Sequence, residues 1–214
     1  MVGGEKSPIH YPYQISLQLQ QIYRGGGGEG GGGFFSLFQS PSPPPSNYSH
    51  FCGGSVLNKN FIVTAGHCID GLAIGRISVL AGTPDLKDEA RGSRHLIDDC
   101  VIHPEFVELN NSDVAVCRLK SPFKYGKNIA PIALETTYVG GGKECILTGW
   151  GYTTMIRGYP LPTDLQRATL PTITNEECIQ NGYGVGPREI CTSSGFFKGA
   201  CGVRSINYFK IYLK

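Results

Sequence analysis

Seven short runs of β-forming residues, each bounded by turn residues, constrain this chain more than any other feature of its sequence. Residues 13–19, YQISLQL, alternate polar and apolar with Ile15, Leu17 and Leu19 on one face. That is the pattern of a half-buried strand. FIVTA (61–65), RISVLAG (76–82), HLIDDCVI (95–102), DVAVCRL (113–119), ECILTGW (144–150) and LQRATLPTI (165–173) follow. Short strands at such intervals predict an all-β barrel or sandwich. One helix start stands out: in TNEE, Thr174 and Glu177 fit a capping box before Cys178.

The chain has 214 residues, enough for one β-domain or two small lobes with a proper core. Its 40% hydrophobic and 17% charged content is that of an ordinary globule. The net charge of +2 comes without a basic block, so no nucleic-acid partner is expected. No apolar run is long enough for a membrane-spanning helix, and no membrane partner is expected either.

Eight cysteines are present and none sits in a CxxC pair. That argues against a zinc ribbon or a redox motif. It favours disulfides made in an oxidising compartment. The opening MVGGEKSP has no apolar leader segment; the expectation is a secreted protein whose leader is missing from this sequence. Residues 24–46, RGGGGEGGGGFFSLFQSPSPPPS, break the strand grammar. Such composition cannot repay its ordering entropy by burial. It reads as a flexible surface loop, or as a translated non-coding insert or a mis-joined exon. A phosphate-binding loop is disfavoured, because no Gly-Lys-Ser/Thr follows the glycines.

In FIVTAGHC, an apolar run ends in a titratable ring, His67. From these residues alone His67 is a core histidine, a metal ligand with His50, Cys52 and Cys68, or a base whose pKa lies near working pH. Asp113, in SDV, is by itself an ordinary aspartate before a strand.

Three pieces taken together narrow these choices: HFCGGSVLNKNFIVTAGHC (50–68), NNSDVAVCRL (110–119) and ECILTGWGYT (144–153). With them the chain resembles the chymotrypsin/trypsin-type serine endopeptidases, from Val2 to Cys201 apart from the 24–46 insert. The resemblance implies two antiparallel Greek-key barrels with a cleft between them. The first barrel would occupy about residues 1–120 and the incomplete second about 121–201, before an unrelated tail, 202–214. It also implies that His67 is the general base and Asp113 the carboxylate that orients it; that mechanism comes with the family. Cys52–Cys68 and Cys178–Cys191 match family bridges. Cys201 matches a cysteine whose partner lies further along a longer chain. Cys100 and Cys117 lie on segments expected to be neighbouring strands and are expected to pair, which leaves Cys145 free. No metal and no cofactor is implied.

The resemblance fails after FFKGAC. The family continues with Gly-Asp-Ser-Gly-Gly-Pro, where this sequence reads GVRSINYFKIYLK. Ser205 has neither the preceding aspartate nor the following glycine pair. The oxyanion-hole donors and the aspartate that captures the new amino terminus belong to the same missing segment. Met1 stands where the family has an isoleucine. Against a domain of ~200–250 residues, about 40 or more residues are missing once the insert is discounted. Gly199 occupies the position at the base of the specificity pocket. A glycine there resembles the chymotrypsin- or elastase-like members and lacks the aspartate that selects Lys or Arg. The expectation is a secreted, monomeric chain of a serine endopeptidase family, incomplete and inactive as written. Its partners would be protein or peptide substrates or protease inhibitors. The alternative is a non-catalytic homologue acting as a secreted binding or regulatory protein. Asn47 (NYS) and Asn110 (NNS) are glycosylation sequons.

Overall fold

The computed structural model describes residues 3–21, 47–107, 112–154, 156, 159–182, 184–186 and 189–193. Among the described residues the strands are β1 (Glu5–Lys6), β2 (Gln14–Gln20), β3 (Tyr48–Val56), β4 (Phe61–Thr64), β5 (Ile77–Ala81), β6 (Ser93–Ile102), β7 (Ala115–Leu119), β8 (Glu144–Gly149), β9 (Gln166–Ile173) and β10 (Cys191–Thr192). One α-helix, α1 (Asn175–Gln180), lies between β9 and β10. The fold is all-β.

Six strands close into an antiparallel barrel in the order β2-β3-β4-β7-β6-β5, with β5 pairing back onto β2. Closure removes every free edge. The interior is filled by Ile15, Leu17, Val56, Ile62, Ile77, Val79, Ile97 and Cys117, none more than 1% exposed. Phe123 and Ile129, from the segment that leaves β7, pack into the same core. The second sheet is built around β9. β8 lies along one side, while β1 and β10 share the other at opposite ends of the strand. Among the described residues this sheet is open, and its core is the smaller cluster of Leu147, Ala168 and Leu170.

All seven runs read from the sequence form strands. β2 departs from the expected half-burial: Gln14, Ser16 and Gln18, on its polar face, are as buried as Ile15 and Leu17 on the other. The reason is the second lobe. Thr148, at the end of β8, donates to Gln14 Oε1 at 2.5 Å. Ser16 Oγ lies 2.8 Å from His50 Nδ1, and the His50 ring meets Trp150 edge-on at 5.5 Å. The polar groups of Gln14 and Ser16 are buried with such partners; Gln18 Oε1 is buried without one.

β3 carries no alternating pattern, because two of its residues are glycines. A Cβ on Gly54 would come within 2.7 Å of the Val63 carbonyl and 2.9 Å of Ile15 Cδ1. The glycine permits close approach of chains here and does not mark a turn. α1 starts as its sequence indicated. Glu177 N–H donates to Thr174 Oγ1 at 3.1 Å, and Thr174 N–H donates to Glu177 Oε2 at 2.8 Å.

Candidate active site

The barrel register builds the site. β4 and β7 pair with Thr64 opposite Ala115, so the chain leaves β4 beside the point where it enters β7. Three residues beyond Thr64, in the 3-10 turn Gly66–Cys68, stands His67. Two residues before Ala115 stands Asp113. Residues 46 apart in sequence therefore meet at one end of one strand pair.

Asp113 grips His67 with both oxygens. Its Oδ2 lies 2.7 Å from His67 Nδ1, and its Oδ1 accepts the His67 backbone N–H at 2.8 Å. Burial by itself would push the Asp113 carboxyl up. The His67 side-chain and backbone hydrogen bonds, the imidazole charge and the Gly66 backbone N–H outweigh it, and the carboxyl sits below its usual range. An ionised carboxylate only accepts hydrogen bonds. Nδ1 must then carry the ring proton, which leaves the lone pair on Nε2. The Asp113 side chain is 16% exposed and that of His67 40%: the acid is sheltered and the ring faces solvent.

The local chain serves this geometry. Gly66 has little room for a side chain, since a Cβ would lie 3.0 Å from Phe106 Cδ2 and 3.2 Å from Asp113 Oδ1. Ser112, just before the acid, takes the left-handed backbone with φ 54°. The Val114 N–H closes back on its carbonyl at 2.7 Å, which turns Asp113 toward His67. Neither role was legible beforehand. A glycine between Ala65 and His67 reads as a simple break, and serine carries no signal for positive φ.

A metal reading fails on the sulfurs. Ligand atoms of Cys52, His67 and Cys68 lie within 4.8 Å of one another. The two cysteines, however, form a disulfide with Cα atoms 6.2 Å apart and offer no thiolate, the form a metal requires. His50 turns instead to Ser16, and burial pushes its pKa down to about 4.

A sheltered carboxylate bonded to Nδ1 of an exposed imidazole is a proton-accepting pair. Comparison with known proteins gives it a family. The Trypsin family profile matches residues 1–202. The chain belongs to the trypsin family of serine endopeptidases. It is 31% identical over 204 residues to trypsin II-P29 of Gallus gallus, covering 93% of this chain and 68% of that protein. With chymotrypsin-2 of Vespa crabro it shares 27% identity over 205 residues, covering 94% and 78%. With serine protease 1 of Rattus norvegicus it shares 30% over 206 residues, covering 93% and 68%.

This trypsin-family chain carries three disulfides among the described residues. Cys52–Cys68 ties β3 to the His67 turn. Cys178–Cys191 ties α1 to β10, with Cα atoms 6.3 Å apart. Cys100–Cys117 joins directly opposed residues of β6 and β7, as their placement on neighbouring strands suggested. Cys145 is free and buried. Gly199, Cys201, Ser205, Asn110, the 24–46 segment and the 202–214 tail lie outside the described residues.

Proposed function

We propose that His67 and Asp113 are the general base and the orienting carboxylate of a serine endopeptidase, and that the 214 residues do not by themselves complete its active site. The 2.7 Å contact between Nδ1 and Asp113 Oδ2 carries this reading. It leaves Nε2 as the atom that takes a proton from an attacking hydroxyl. Asp113 holds the ring in that tautomer and stabilises the imidazolium once it forms. The family reaction is acyl transfer to a serine, with protein or peptide chains as substrates and protease inhibitors as competing ligands. No serine in this sequence lies in a Gly-Asp-Ser-Gly-Gly-Pro segment. Without that segment the nucleophile and the backbone donors of the oxyanion hole are both wanting, and a base with its orienter cannot form an acyl-enzyme.

We place the pair between two lobes, about residues 1–120 and 121–201, with 202–214 as a separate tail. Three disulfides support a secreted protein. The purified chain is expected to show no burst and no turnover on peptide substrates. A variant given the Gly-Asp-Ser-Gly-Gly-Pro segment after Cys201, the remainder of a second barrel and an isoleucine-led amino terminus is expected to gain turnover. With Gly199 at the pocket base, that cleavage should follow apolar residues. A grafted, folded variant that stays inactive while His67 keeps its bond to Asp113 contradicts the assignment.

A non-catalytic binding role is the second reading. The closed first barrel favours it, because that barrel has its own core whether or not a nucleophile follows. Saturable binding of a protease inhibitor or protein ligand by the ungrafted chain would support it.

A further inference from the structure

We infer that Asn47 is an N-glycosylation site, modified by transfer of an oligosaccharide from a lipid-pyrophosphate donor. Asn47-Tyr48-Ser49 is an acceptor sequon, and the structure presents it in a usable form. Asn47 immediately precedes β3, and Tyr48 and Ser49 open that strand. Side chains alternate along a strand, so Asn47 and Ser49 share one face and Tyr48 takes the other. The Tyr48 ring packs under Arg94, whose guanidinium carbon lies 4.1 Å from the ring centroid. Arg94 is fixed in turn by Ser78 Oγ at 2.6 Å and Glu89 at 2.7 Å. With Tyr48 anchored inward, Asn47 and Ser49 are both exposed.

The backbone beneath them is fixed as well. Gln21 N–H donates to the Asn47 carbonyl at 2.6 Å, and Gln21 Nε2 donates to Ser49 Oγ at 2.9 Å. The serine oxygen accepts that bond and keeps its own proton to donate. The folded barrel thus leaves a bulky substituent on Asn47 Nδ2 pointing into solvent. In the transfer, a bond forms between Asn47 Nδ2 and the anomeric carbon of the first sugar. The bond from that carbon to the pyrophosphate oxygen breaks, its electron pair leaves with the lipid pyrophosphate, and the transferase takes one amide proton. No oxidant or reductant is consumed.

The inference rests on the secretory part of the proposed function and is independent of catalysis. The test translates the full chain behind an added export leader in the presence of microsomes and examines the protease-protected fraction. That fraction should show a gel shift removed by a peptide:N-glycosidase. The shift should be lost by one glycan's step in Asn47→Gln and equally in Ser49→Ala, which keeps the asparagine. Asn110→Gln should leave that step in place. Mass spectrometry of the released peptide should find Asn47 converted to Asp. A protected, disulfide-bonded chain with no shift, or one whose shift survives both Asn47→Gln and Ser49→Ala, overturns the inference and leaves the protease assignment untouched.

Discussion

Asp113 and His50 are two titratable groups with opposite burdens, and both shape the acid branch of stability, alongside His95, whose pKa burial also lowers. His50 is half-buried against Trp150 and Ser16 and held near pKa 4, against about 6.5 in the unfolded chain. Between these values the unfolded state binds the extra proton. Stability is therefore fully present above pH ~6.5 and is lost as pH falls toward 4, by up to about 3 kcal/mol. Asp113 has a depressed pKa. Its contribution is present above the unfolded carboxylate value, about 3.9, and is lost as pH falls below it through the folded value. Denaturant titrations between pH 7 and 3 should show the upper window flattened in His50→Gln and the lower one flattened in Asp113→Asn. If His50→Gln keeps the wild-type slope between pH 6.5 and 4, burial does not hold that ring neutral. Asp113→Ala should cost about 2 kcal/mol, since it orphans charge-assisted bonds from the His67 and Gly66 backbones.

At the scale of elements, the capping box of α1 and the close approach of β3 make the sharpest predictions. α1 spans only six residues, so its first turn matters. Thr174→Ala should cost about 1 kcal/mol, read as a lowered denaturant midpoint with an unchanged slope. Gly54→Ala should cost more, about 1–3 kcal/mol, because the new methyl meets the Val63 carbonyl, which is backbone and cannot turn aside. A neutral Gly54→Ala would mean that β3 and β4 separate freely. The strands were legible where β-branched residues alternate or run together, as in FIVTA and RISVLAG. β3 was not, because its glycines serve packing and read as turns. β1 and β10 are two residues each, too short for any period, and exist only because β9 offers them an edge. On the polar face of β2, buried Gln14 is met by Thr148, 134 residues away. No local pattern could announce it.

For the whole molecule, the closed barrel and the second sheet, open among the described residues, differ in how much each can hold alone. The barrel has a continuous core and a closed set of hydrogen bonds. The second sheet has a smaller core, and apolar side chains such as Ile146 and Ile179 are exposed in its lobe. Exposed apolar surface and free strand edges favour association. The His67–Asp113 pair belongs entirely to the barrel side, at the ends of β4 and β7. It should persist when the second lobe is perturbed. Its motifs were plain in the sequence; the turn that aims Asp113 was not, since positive φ at Ser112 leaves no trace in residue type. The most direct measurement of the central claim is labelling by a serine-directed phosphonate. The folded 214-residue chain should take no label. The grafted variant should be labelled at the serine of the restored segment, and His67→Ala should abolish that labelling. Labelling of Ser205 in the ungrafted chain, lost on His67→Ala, would contradict the account, because these residues would then hold the nucleophile assigned to the segment they lack.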